Sequence, residues 1–576
     1  MASKTSRRRR AAAEPELSPG PPWFLTLPWL CAATLFVALL AYGPALHGSF
    51  VFDDFHLPFA DPKAAEMPAR FWIGGVRPVL MLTYWANFLL SGTDTVSYHV
   101  VNVILHVITG LLVFGILKCL LSVSGVMEGR NARPFALTGA AIFVFHPLQT
   151  ESVAYIAGRS EIVSGLLFFA AWLVFLRAFE TETGIVTSLQ ILLLSGAAVL
   201  AKESAISLPA AILLTDLFWC GRPLLAQMRR RFWLYIPFLI GGIGSAALIL
   251  ERVVGAGGTG TSSGISRGQY ALTECRAILI YLRLFFFPAG QNGDWRLPVF
   301  KTLTDNNAWL YLVAFVALLA AIALLLSRVR LAAFGLLIFL ITLAPTSSLV
   351  PVADALAERR MYIPIAGLIL ASLGLLLHLR VSPAALRIVA VASVLAVVGF
   401  TWHRSAVWAG PLPFWEDAVA GNPDNPRARF GFGTALLAQK NCKRAVQELT
   451  RGRMGEPMNG DILWNLAEAY RCNDQPESAL ATFREFVNAH PTANAWNEIA
   501  YTAAQLGMTD DVFTAVSNAL SLEPNNALSY AYRGLARIAT NDTDGANADF
   551  RHSLQLEPQN PVALTGLNRL AGNRSQ

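Results

Sequence analysis

The sequence predicts an all-α chain in two parts, a polytopic transmembrane helical domain followed by a solenoid of stacked helix pairs. Three observations predict it. The composition is 54% hydrophobic and only 14% charged over 576 residues, with a mean hydropathy of +0.46, which excludes an ordinary soluble enzyme. Apolar runs of span length recur up to residue 403. Beyond Trp402 the composition turns mixed-polar and a fixed repeat appears.

Residues 1–22 are basic, then Pro/Glu/Ala-rich, and read as a disordered cytoplasmic tail. The run from Trp23 to Leu46 exceeds a signal-peptide core and reads as an uncleaved anchor. Spans are expected near 24–46, 97–121, 134–149, 161–178, 187–201, 204–220, 232–252, 308–326, 331–350, 361–379 and 385–403, about eleven in all within a domain of 23–403. Two further apolar stretches are assigned to the interface. Residues 78–91 are short, and 270–288 carry Glu274, Arg276 and Arg283. With the tail inside, the loops holding most Lys and Arg fall on the cytoplasmic side, as the positive-inside tendency requires. The net charge of +7 is thereby accounted for beside a lipid bilayer, and no nucleic acid partner is implied.

After a linker at 404–426, Pro491, Pro524 and Pro558 stand 33 and 34 residues apart. Trp464, Trp496 and Tyr530 recur 32 and 34 apart in the preceding helices. This is the tetratricopeptide period, in which each helix pair hides its apolar face only by stacking on neighbours. About four repeats are expected within 427–576. Their concave surface suits a peptide or protein.

The densest chemistry lies just past the first span, in Gly48-Ser-Phe-Val-Phe-Asp-Asp-Phe, where Asp53 and Asp54 adjoin. Arg77, His146, Glu151, Arg159, Lys202, Glu203, Glu358, Arg359 and Arg360 thread onto the same side. Ionisable groups near the membrane are costly, and a set gathered on one face points to a site. Transfer of a sugar from a lipid phosphate needs a carboxylate to accept the acceptor's proton. It also needs cations to offset the charge growing on the departing phosphate. The acidic pair and the cations meet both needs.

The motif Phe-Asp-Asp after a first span is similar to the acidic motif in the first external loop of GT-C glycosyltransferases. In protein O-mannosyltransferases the first acid of that motif is the general base, and the matching position is Asp53. Arg77-Pro78-Val79, Asn102 with His106, His146-Pro147 with Glu151 and Gly158-Arg159, Ala201-Lys202-Glu203, and Glu358-Arg359 with Tyr362 resemble the transmembrane and tetratricopeptide-containing O-mannosyltransferases. The resemblance implies a GT-C-type domain, a polyprenyl-phosphate-linked sugar donor, a Ser/Thr hydroxyl on a protein acceptor, and inversion at the sugar. It implies catalysis by Asp53 and Asp54, and donor-phosphate or substrate binding by Arg77, His146, Glu151, Arg159, Lys202, Glu203, Glu358, Arg359 and Tyr362. No metal and no cofactor are expected. The short repeat array suggests a bacterial member, with the active face and repeats periplasmic on an inner-membrane protein. In a eukaryote they would be luminal in the ER membrane.

Each position has a plainer reading. Asp54 holds the loop, His146 caps a helix end, and Glu151 pairs Arg159. Lys202 and Glu203 neutralise each other, Asn102 bonds His106, and Glu358 to Arg360 mark a span entrance. Whole-chain alternatives are a non-catalytic repeat scaffold for envelope assembly and a polysaccharide ligase or flippase. Six cysteines lack any zinc spacing. Cys442 and Cys472 fall at adjoining ends of neighbouring repeat helices, where a disulfide and two unrelated thiols are both open.

Overall fold

A computed structural model describes residues 27–573 except 62, 128–130, 180–182, 256–264, 348–350, 353 and 380. The tail expected at 1–22 lies outside the described residues. Among the described residues the secondary structure is helical, without a strand.

Every apolar run expected to span falls on a helix. Among the described residues four helices are long and apolar enough to cross a bilayer: Thr95–Val123, Ile156–Arg177, Asp305–Arg328 and Pro383–Ala409. Other apolar helices, among them Ala132–Phe145, Ile185–Ala201, Arg330–Leu343 and Ile365–His378, run only 10–17 residues. The last two approach closely because both are glycine-notched. A Cβ at Gly335 would lie 2.5 Å from Gly367 O, and one at Gly367 would lie 2.6 Å from Phe339 N. Small residues at such crossings are how helices associate where no water drives them together. On the outside, Leu310, Val313, Val316 and Leu324 of one long helix and Ile388, Val391 and Leu395 of another are exposed. So wide an apolar surface suits a membrane protein.

The two stretches assigned to the interface are also helical, Pro78–Ser91 and Arg267–Phe286. The second departs from a helix lying on the surface. Its Tyr270, Ile278, Tyr281 and Leu284 join the main core, and Tyr281 Oη donates to Ala357 O at 3.0 Å. Arg276 lies over the Phe300 and Tyr311 rings at 5.7 and 5.6 Å, and Arg283 donates to Ala289 O at 2.8 Å, placements that composition alone cannot report.

The repeats are four helix pairs and a closing helix. First helices begin at Pro426, Gly460, Ala493, Ala527 and Pro561. The period has a local cause at each end of these helices. Asn425, Asn459, Thr492 and Asn526 accept backbone N–H bonds at the four starts, as good N-caps do. Lys440, Asp474, Gly507 and Asn541 turn each pair with φ between 57° and 70°. Cys442 and Cys472 are joined in a disulfide with Cα atoms 5.4 Å apart, which ties the first repeat to the second.

Residues 404–426, expected as a linker, hold a helix, Pro411–Gly421. Phe414 is fully buried and Trp408 nearly so. Apolar anchors of this kind make the segment part of the body.

Candidate functional site

The acidic pair separates into two environments. A short 3-10 helix, Phe52–His56, carries both residues. Asp54 is 1% exposed, and its carboxylate accepts from Val51 N at 3.0 Å and Ala157 N at 2.8 Å. Burial lifts its carboxyl to about 7 against the pull of those amides, and Asp53 adds to the rise. Asp53 is half-buried. Its backbone N–H donates to Tyr155 Oη at 2.8 Å. No hydrogen bond or ion pair to the Asp53 carboxylate is seen among the described residues. Asp54 therefore pins the loop and Asp53 presents a carboxylate. The residue before it, Phe52, sits at φ +52°, a left-handed backbone that costs an L-residue roughly 1–2 kcal/mol. Strain of this kind concentrates at functional sites.

The cations are mostly matched to carboxylates, in pairings that differ from those adjacency suggests. Glu151, 2% exposed, accepts from Arg359 Nη1 at 2.5 Å and from Arg359 N at 2.8 Å. Lys202 Nζ lies 2.6 Å from Glu161 Oε1, and burial lowers its pKa while Glu161 raises it. Arg77 grips Glu203 through both oxygens at 3.1 and 2.7 Å. Glu151 thus pairs Arg359 rather than Arg159, and Lys202 is neutralised by Glu161 rather than Glu203. Burial raises the Tyr155 phenol, with Asp54 and Asp53 adding to the rise and Arg359 opposing it. That ring therefore stands electrically between the acidic loop and the Glu151–Arg359 pair.

Four expected ligand residues are committed to the scaffold. Arg159 is fully buried and donates to Asn102 Oδ1 at 2.7 Å, Asn87 Oδ1 at 2.8 Å, Tyr98 O at 3.1 Å and Thr83 O at 3.3 Å. Its guanidinium also lies over the Tyr84 ring at 4.7 Å. With every face occupied, it ties the Pro78–Ser91 helix to the Thr95–Val123 helix rather than awaiting a phosphate. His146 spends both nitrogens, accepting from Leu148 N at 3.2 Å and contacting Phe285 O at 3.0 Å. Tyr362 is buried with its hydroxyl 2.8 Å from His106 Nδ1, so Asn102 and His106 serve different partners. Glu358, 1% exposed, accepts from Asn292 N, Gln291 Nε2 and Trp295 Nε1 at 2.7, 2.5 and 3.0 Å. Burial lifts it to about 7, with Arg404 opposing and Glu151 adding. Among the described residues Arg360 donates to backbone carbonyls, those of Asp354, Ala355 and Thr346. It lines a small cleft with Glu161, Ser204 and Thr346.

Sequence reasoning missed Tyr155, Glu161 and the Gln291–Trp295 loop. Tyr155 and Glu161 stand at the same connection between helices as Glu151 and Arg159, which was their signal. The loop had none, because its partners are 63–67 residues away.

No protein-family model matches the chain. It is similar over most of its length to curated proteins named protein O-mannosyl-transferases. One from Caenorhabditis elegans is 24% identical over 71% of this chain and 61% of that one. Another from Homo sapiens, TMTC1, is 25% identical over 75% of this chain and 56% of that one. A third, TMTC3 of Mus musculus, is 22% identical over 92% of this chain and 64% of that one. The chain therefore spans about three-fifths of the length of the relatives it matches. Solved structures similar to it include the tetratricopeptide protein YrrB, 18% identical over 27% of this chain and 81% of that one, with a TM-score of 0.26.

Proposed function

We propose that this chain is an integral-membrane GT-C-type glycosyltransferase that moves a sugar, by preference mannose, from a polyprenyl-phosphate donor to Ser/Thr hydroxyls of a protein. The observation that carries the reading is the division of labour in the acidic pair. One carboxylate is locked by two amides, and its neighbour is held by its backbone with its oxygens unengaged among the described residues. Asp53 takes the proton from the acceptor hydroxyl. The acceptor oxygen bonds the anomeric carbon from the face opposite the phosphate, and the C–O bond to phosphate breaks with its electron pair on the leaving phosphate oxygen. Arg77 and Arg359 are assigned to offset that charge. The Arg77–Glu203 pair is 36% and 63% exposed, and an exposed pair is worth only about 0–1 kcal/mol. Exchange of Glu203 for a phosphate is therefore inexpensive. The names of the relatives support the transfer class and a protein acceptor.

The domain division, the span count near eleven and the placing of Asp53 and the repeats on one external side belong to the same proposal. The Cys442–Cys472 disulfide supports an oxidising compartment for the repeats. Purified protein given labelled polyprenyl-phosphate mannose and an unfolded Ser/Thr-rich polypeptide should label the polypeptide and release polyprenyl phosphate. Turnover should survive chelation of divalent metals. No transfer in this assay, joined with an unchanged glycoprotein profile in a deletion strain, would favour the scaffold reading.

A further inference from the structure

We infer that the connector helix and the first repeat are a positioning element of the acidic loop, with Arg427 as its keystone. This rests on the reading of Asp53 as the base. Arg427, the second residue of the first repeat helix, reaches across to the membrane domain. Its Nε donates to Asp294 Oδ2 at 2.9 Å, its Nη2 donates to the other Asp294 oxygen, and Nη2 also reaches Asp354 Oδ1 at 3.0 Å. Its guanidinium carbon stands 5.4 Å from the centre of the Phe52 ring. That ring also lies 6.1 Å from Phe414, stacked, and 5.6 Å from Trp415, edge-on. Phe52 is the residue in the left-handed backbone conformation directly before Asp53.

The same segment grips the loop from its other side. Asp53 N–H is held by Tyr155 Oη, and the Tyr155 ring stacks on Trp408 at 5.2 Å. Trp408 in turn packs on Phe414 at 5.0 Å. Asn425 donates to Asp294 at 2.9 Å, and Asn422 donates to Trp295 O at 3.2 Å. Trp295 also donates to Glu358. An array that only presented an acceptor would need none of these contacts. A strained residue persists only when its surroundings over-determine it, and for Phe52 those surroundings include the first repeat. Asp294 is 1% exposed at its side chain, so its carboxylate depends on Arg427 and Asn425 for charge and hydrogen bonds.

The test compares the full chain with Arg427→Ala, Arg427→Lys, Asp53→Asn and Arg444→Ala. Arg444 belongs to the same repeat and pairs with exposed Glu416 at 3.2 Å. In Arg427→Ala, hydrogen exchange of peptide 50–57 should quicken at least about tenfold while peptide 493–505 stays unchanged, and kcat for mannose transfer should fall about tenfold or more with donor KM within about twofold. Arg427→Lys should recover part of kcat, and Arg444→Ala should match wild type in both readouts. Should Arg427→Ala lose its cooperative melt, Arg427→Gln, which keeps a donor for Asp294, carries the same expectation. Unchanged exchange at 50–57, or a loss confined to acceptor KM, would overturn the inference. Wild-type turnover by Asp53→Asn would instead remove the base assignment, and the exchange result would still decide whether the first repeat holds the loop.

Discussion

The repeat array and the face of the membrane domain that carries the acidic pair both hold many ion pairs, but the pairs that join repeats and the pairs on the face are built in opposite ways. In the array, Arg453 meets Glu485, Arg471 meets Glu498 and Arg484 meets Asp511 at separations of 32, 27 and 27 residues. Each pair joins one repeat to the next and remains partly exposed. On the face, Arg77 meets Glu203 across 126 residues and Arg359 meets Glu151 across 208. Several of those carboxylates, Glu151, Glu161 and Glu358, are buried. The charges that join one repeat to the next decorate a structure that stacking already makes, while Arg429–Glu448 and Arg533–Asp549, whose carboxylates are buried, lie within single repeats. On the face the charges close the structure, and of the adjacent acids Asp54 is engaged by two backbone amides while the Asp53 carboxylate shows no partner among the described residues.

Removing one partner of a buried pair should therefore have the largest effect. Arg359→Ala strands the buried Glu151 carboxylate and should cost about 3–5 kcal/mol, read as a lowered melting temperature of the purified protein. If it cost no more than an array substitution, the contrast would be broken. Reducing Cys442–Cys472 should cost about 3–4 kcal/mol by chain entropy, and hydrogen exchange should show the loss in the first two repeats and not beyond. Next comes a pH effect confined to the face. Asp54 and Glu358 are raised by burial to about 7 from 3.8 and 4.5, so the folded face holds protons that the unfolded chain has released. The stability they contribute is complete below about pH 4 and is lost as pH rises through about 7. Protection of peptide 50–57 should fall over that window while peptide 493–522 shows no such trend, and Asp54→Asn should flatten it. Smallest is Arg453→Ala, about 0.2–1 kcal/mol, measured by denaturant unfolding.

The same contrast explains what was legible in the sequence. The array was legible because its causes are local: a cap such as Asn459, a left-handed turn such as Asp474 and an apolar stripe recur every 33–34 residues. Helices in the membrane domain were legible from apolar runs, although among the described residues only four are long and apolar enough to span by themselves. The charges near span ends were readable as residues. Their pairing was not, because Glu151 sits eight residues from Arg159 yet bonds Arg359, and nothing in spacing encodes a contact made by folding. Arg159 looked like a phosphate ligand and is a fully buried tie, since Asn87 and Asn102 satisfy a guanidinium without a countercharge. The packed helix Pro411–Gly421 within the expected linker left no sign in the sequence for a related reason. Phe414 and Trp415 have no period of their own, and their partner Phe52 is more than 360 residues away.

The central claim is that adjacent acids do different work, Asp53 in the chemistry and Asp54 in the loop. It is tested most directly by measuring mannose transfer from polyprenyl-phosphate mannose by Asp53→Asn and Asp54→Asn side by side with their melting temperatures. Asp53→Asn should lose about 10²–10⁴ in kcat, the range for a general base, and melt with wild type. Asp54→Asn should melt earlier, because its amide nitrogen cannot accept the second backbone N–H that Asp54 now accepts. Wild-type turnover by Asp53→Asn, with Asp54→Asn inactive and fully stable, would contradict the account.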